Sequence, residues 1–265
     1  FKLRSIQYGI ALFMMLMILN SSAMFVNVFT GVGMKIDNWQ NAMLGNWVLV
    51  GYFVGCVIGV MAGTRGLHLK YLFALGFILI GAASLFMYFE VQNDGLYERM
   101  KWPVIIRATG MMLLYTLTAV HANQRMPFKF MSTWVCIMLS VRMVIAPGIG
   151  SALYSNVLQY RQQYYVTRFA HEFDRTEAST AATYDRTVRG MMAQGKNPAE
   201  AENMAAMSLK GKVQIQATIT AVKEMAGWTV YGCIGAAAIT LLIPWKKRKL
   251  KPEETATAVP VEQTA

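Results

Sequence analysis

The chain has 265 residues, 55% hydrophobic and only 15% charged, with a formal net charge of +11 and a mean hydropathy of +0.36. A soluble domain carries about 25% charge, so a soluble fold is excluded. The three cysteines, Cys56, Cys136 and Cys233, form no CxxC pair and no His/Cys cluster, which speaks against a zinc site or a disulfide framework; no Gly-x-x-x-x-Gly-Lys-Ser/Thr loop offers ATP chemistry.

The chain opens at Phe1 with neither an initiator Met nor a secretory signal, and is expected to be part of a longer protein. It contains six apolar stretches, Ile6–Gly33, Ala42–Gly63, Tyr71–Phe89, Pro103–Asn123, Met131–Ser155 and Ala226–Trp245. Each approaches the roughly 20 residues that a spanning helix needs. Lipid offers no partner to an unpaired amide, so the spans are expected to be helical; alternating ten-residue barrel strands are missing. The expected fold class is all-α, a polytopic bundle of six transmembrane helices.

Asn20 and Asn27 on the first span lie seven residues apart and so on one face; Ser21, Ser22 and Thr30 add to its polarity. In the second span Gly51, Gly55, Gly59 and Gly63 recur every fourth residue, a small-residue ridge that permits close helix approach. Gly63-Thr64-Arg65-Gly66-Leu67-His68-Leu69-Lys70 forms the next loop. Its cations suit a membrane anchor, or a gating turn in which Arg65, Gly66 and Lys70 meet helix ends and carboxylates.

The fourth span carries Arg107, Tyr115, Thr116, Thr118 and, near its inner end, His121. The fifth carries Arg142 near its middle, too deep to snorkel easily. An ionisable group inside a span is a functional hypothesis by default. Arg142 either lines a central cavity and pairs across it, or bonds carbonyls freed around Pro147 and fixes a kink. Arg107 sits nearer the outer end and can snorkel. No Asp or Glu lies deep in any of the six stretches.

Residues 156–225 are too long for a simple connection. Tyr154, Leu158, Tyr165, Phe169 and Phe173 continue the fifth helix at helical spacing. Asn197-Pro198-Ala199-Glu200 reads as a helix start, followed by an apolar stripe of Met204, Met207, Ile215, Ile219 and Val222, with Thr176–Lys196 as the turn. The expectation is an external helical hairpin that caps the bundle or docks a partner. The sixth span and its basic stop occupy 226–251, and a polar tail, 252–265, is expected to be disordered.

Lys and Arg set the orientation. Lys2, Arg4, Arg65, Lys70, Arg125, Lys129 and the run Lys246–Lys249 gather on one side, while Lys35, Arg99 and Lys101 on the other side share it with Asp37, Glu90, Asp94 and Glu98. The first side, with both chain ends, is expected in the cytoplasm. The +11 charge is mostly this bias, and a nucleic-acid surface is not implied.

Several of these features together resemble the major facilitator superfamily. The 63–70 loop is similar to the loop after the second helix of each half, with Thr64 where that family has Asp. Trp102–Gly110 with Arg107, Met126-Pro127, and Arg142 followed by Ala146-Pro147-Gly148-Ile149-Gly150 resemble the fourteen-span drug:proton antiporters of the EmrB/QacA type. So does the long segment before the last span. The resemblance covers nearly the whole chain and implies the C-terminal half of such a transporter, two inverted three-helix repeats in a bacterial inner membrane. It implies alternating-access efflux of hydrophobic or amphipathic compounds, driven by protons, with the coupling acid in a missing N-terminal half. The first and fourth helices would line the pathway, hence Asn20, Asn27, Arg107, Tyr115 and Arg142 as candidates. A periplasmic membrane-fusion adaptor is an implied partner of 156–225. The alternative is a non-enzymatic assembly protein whose hairpin docks such a partner. No Ser/His/Asp set or buried acid pair suggests an enzyme, and no cofactor or metal is expected.

Overall fold

A computed structural model describes residues 4–65, 68–91, 97–123, 131–172 and 178–242. Among them no strand occurs. The first apolar stretch is helical but not uniform: α1 (Arg4–Asn20), a 3-10 turn (Ser21–Ala23), α2 (Met24–Val28) and a π turn (Phe29–Gly33). The hydroxyls of Ser21, Ser22 and Thr30 donate back to the carbonyls of Met17 at 3.0 Å, Leu19 at 2.7 Å and Val26 at 2.9 Å. Such back-bonding competes with the regular ladder and bends a helix.

Two long helices come next, α3 (Asn38–Thr64) and α4 (Leu69–Glu90). A 3-10 turn (Tyr97–Met100) feeds α5 (Lys101–Asn123). Then α6 (Met131–Ser140), a π turn (Val141–Ile145) and α7 (Ala146–Glu172) run end to end. Pro147 has no N–H to give the carbonyl one turn back, and the widened turn just before it absorbs the misfit. The last described elements are α8 (Ala178–Ala193) and α9 (Pro198–Leu242).

Five stretches of the described residues are long and apolar enough to cross a membrane: Gly9–Gly33, Asn38–Ala62, Leu69–Glu90, Ser132–Ala170 and Pro198–Leu242. The outward faces agree with lipid as the solvent. Phe53 is 72% exposed, and Leu49, Val60, Met143 and Val144 are all more than half exposed; in water so continuous an apolar surface would aggregate. The protein is a membrane-embedded helical bundle.

α3 packs on α5, α5 also on α4, and α4 on α9; α1 packs on α5 and α7, and α9 on the π turn that ends the first stretch. One core gathers Phe13, Leu16, Phe73, Phe77, Leu113 and Leu114; a second gathers Phe25, Phe29, Leu44, Met100, Tyr154 and Val222. The glycine ridge acts at the α3–α5 crossing. A Cβ on Gly51 would stand 2.5 Å from the Ile105 carbonyl oxygen, and one on Gly55 2.5 Å from that of Thr109; at Gly59 the nearest atom is 3.5 Å away, ordinary contact.

Three expectations for the later chain are corrected. Thr176–Lys196 is not mainly a turn: α8 occupies most of it, and among the described residues the turn is Gln194–Lys196. There Gly195 takes φ +85°, with Gly195 N–H donating to Met192 O at 2.9 Å and Lys196 N–H to Met191 O at 3.4 Å, the Schellman pattern. The sixth span does not begin afresh at 226, because α9 starts at Pro198, as Asn-Pro-Ala-Glu predicts, and continues unbroken to Leu242. Its 45 residues extend about 68 Å, well over the roughly 30 Å of hydrocarbon, so α9 must leave the bilayer. Finally, Met204 and Met207 are exposed, whereas Ala201 and Ala205 are fully buried. Small side chains let α8 approach closely; Tyr184 donates its hydroxyl to Glu202 O at 3.4 Å.

Candidate functional site

The π turn in the fifth stretch decides where Arg142 points. Opening one turn by a residue rotates the remainder of the segment by about 100° relative to a regular helix. Arg142 lies half-buried within that turn, its guanidinium carbon 3.9 Å from the centroid of the Tyr115 ring on α5. Phe13 of α1 meets the same ring edge-on, 5.6 Å between centroids. Two candidates named from sequence are thus brought into contact, and α1, α5 and the π turn meet around them. A planar cation on an aromatic face gains about 1–2 kcal/mol once partly desolvated, without the fixed geometry of a carboxylate pair. Such a contact can be exchanged for another at modest cost.

Sequence reasoning misses Tyr52. It lies between the ridge glycines of α3 and places its hydroxyl 3.7 Å from Met111 Sδ on α5. The available signal is its position beside Gly51, where backbones touch and a neighbouring side chain must project along the seam.

Arg107 does not join the Arg142 group. It faces a small cavity with Ser22, Ser84, Met87 and Ala226, and its Nη1 is buried without a hydrogen-bond partner. Asn20 is half-buried and Asn27 exposed; the three-residue 3-10 turn between them adds only about 60° of winding in all, so the two remain on roughly one side of the segment. Arg65 is exposed at the end of α3 and Lys70 sits 4.8 Å over the Tyr71 ring, a position suited to an anchor. Gly66, the Met126-Pro127 pair, the basic run from Lys246 and the tail lie outside the described residues, as do the side chains of Thr64 and His121.

A second polar group joins α7 to α9. Arg161 pairs with Glu224 at 3.0 Å, Tyr165 donates its hydroxyl to the same carboxylate at 3.0 Å, and Gln162 donates to Thr218 at 2.9 Å. The sequence places Glu224 in the long connection; the unbroken α9 carries it into the helix interface. A groove of about 540 Å³ beside it, walled by Tyr88, Trp228 and Tyr231, lies apart from Arg142 and Tyr115. Among the described residues no group of three or more His, Cys, Asp and Glu could hold a metal ion. Compared with known proteins, the chain matches no family model and no curated sequence.

Proposed function

We propose that this chain is half of a secondary active transporter of the major facilitator type, and that it exports hydrophobic or amphipathic compounds by alternating access, driven by proton antiport. The observation that carries the reading is the order in which the helices pair. Count six long segments: 4–33, 38–64, 69–90, 101–123, 131–172 and 198–242. Exchange the first with the fourth, the second with the fifth and the third with the sixth. The second–fourth contact then becomes fifth–first, third–fourth becomes sixth–first, and first–fourth and third–sixth map onto themselves, all of them present; the fifth–sixth contact is the exception, with no comparable second–third packing among the described residues. Two inverted three-helix repeats would pair in this way.

In this reading the Arg142–Tyr115 stack lies where the first, fourth and fifth segments converge on the pathway, and it is made and broken as the repeats rock. The coupling carboxylate lies in the other half. Both ends of the chain face the cytoplasm of a bacterial inner membrane. The test is transport by the whole protein in proteoliposomes. Accumulation of a lipophilic dye that tracks an imposed proton gradient and stops when the gradient is collapsed is the expected result; dye movement indifferent to the gradient would contradict it.

A further inference from the structure

We propose that the interior of the bundle binds a small monovalent anion of the halide class on Arg107. The proposal rests on the packing of α1, α4, α5 and α9, and does not depend on the transport reading.

Arg107 lies in the second turn of α5, beyond Pro103, with its Nη1 fully buried and unpartnered. It borders a small, partly open space of about 20 Å³ with Ser22, Ala83, Ser84, Met87 and Ala226. Roughly 10–15 Å³ suffices for one water-sized occupant, so the space beside Arg107 has room for a single water or a monatomic ion.

Charge decides between these two. Arg107 as a whole is half-buried, but a water would satisfy one N–H and leave the buried edge of the guanidinium without a counter-charge, which costs more than a lost hydrogen bond. None of the ion pairs among the described residues involves Arg107: Glu90, Glu98 and Glu224 are taken by Arg99, Lys101 and Arg161. An anion in the cavity supplies the missing charge. The two serines can serve it. Ser84 now donates to Ile80 O at 3.1 Å and Ser22 to Leu19 O at 2.7 Å. The Ile80 carbonyl also accepts the helical N–H of Ser84, so that hydroxyl can rotate toward an anion without leaving the carbonyl unpaired.

Crystals of the whole protein grown in bromide give the direct test. One anomalous peak within hydrogen-bond distance of Arg107 Nη1 is expected, and it should vanish in Arg107→Gln. In solution, chloride exchanged for gluconate at equal ionic strength should lower the melting midpoint of the unaltered protein by a few degrees, saturably, and leave Arg107→Gln unmoved. Ordinary density in the cavity with no anomalous signal would mean a water and would overturn the proposal. So would a peak that survives Arg107→Gln, or a midpoint indifferent to chloride in the unaltered protein, a measurement that needs no variant to fold.

Discussion

The guanidinium of Arg142 lies over the face of Tyr115, 3.9 Å from ring centroid to Cζ, and Phe13 packs on the same ring at 5.6 Å. The contact ties the π turn of the fifth segment to α5 without any carboxylate. Its loss should shift a conformational equilibrium by about 1–2 kcal/mol, roughly five- to thirtyfold. Tyr115→Phe keeps the ring face and should leave transport within about twofold. Tyr115→Leu and Arg142→Ala should each abolish most of it while membrane insertion stays normal, and the double variant should be little worse than either single one, since both remove the same contact. Initial rates in proteoliposomes check this; additive losses would show that the two side chains act separately.

Gly51 and Gly55 mark the closest approach of α3 to α5. The obstruction a Cβ would meet at either is backbone oxygen at 2.5 Å, which cannot swing aside. Gly51→Ala and Gly55→Ala should each destabilise the bundle by about 1–3 kcal/mol, read as a lower Tm in detergent. Gly59→Ala, with 3.5 Å of clearance, should be close to neutral. Equal effects at all three positions would mean that the crossing lies elsewhere on the ridge.

The α8–α9 turn offers a paired test of backbone conformation. Gly195 holds φ +85°, so Gly195→Ala should cost about 1 kcal/mol. Gly190 sits inside α8 with nothing within 4 Å of a new Cβ, and Gly190→Ala should stabilise by about 0.5–1 kcal/mol. Opposite shifts in protease resistance of this segment are expected; shifts of one sign would contradict the assigned turn.

Glu224 and Glu98 both pair with cations, in different surroundings. Glu224 is only 23% exposed, is paired to Arg161 and accepts from Tyr165; Glu98 is 69% exposed beside Lys101. Exposed pairs contribute about 0–1 kcal/mol, so Glu98→Ala should barely change Tm. Glu224→Ala leaves a phenol and a guanidinium partly buried without their acceptor and should lower it by a few degrees, Glu224→Gln by less because the amide oxygen still accepts from Tyr165. Indifference of Tm to both Glu224 variants would show that α7 and α9 are held together by apolar packing alone.

Much of the fold is legible in the sequence because lipid simplifies the code. Long apolar runs fix helices in membranes, Asn197-Pro198-Ala199-Glu200 marks the start of α9, and the every-fourth glycines mark the α3–α5 seam. Side-chain meetings are less legible. Arg142 and Tyr115 can be named one by one as costly or polar groups inside spans, yet their contact depends on a π turn that periodicity cannot register. The α8 segment reads as a turn because Thr, Ser and Gly have low helix propensity alone; packing on α9 overrides it. Hydrophobicity assigns the buried stripe at the start of α9 to Met204 and Met207, whereas close approach selects Ala201 and Ala205. The Arg107 cavity draws Ser22, Ser84 and Ala226 from three other segments, a convergence with no local signature.

Alternating access is the central claim, and thiol accessibility at Asn20 tests it most directly. Asn20→Cys, with Cys56, Cys136 and Cys233 replaced by Ala, would be exposed to a membrane-impermeant thiol reagent from each side of sealed vesicles of known orientation. Labelling from both sides, in a ratio that an imposed proton gradient reverses, is the predicted result. Labelling from one side only, unchanged by the gradient, would contradict the account and leave a static membrane bundle.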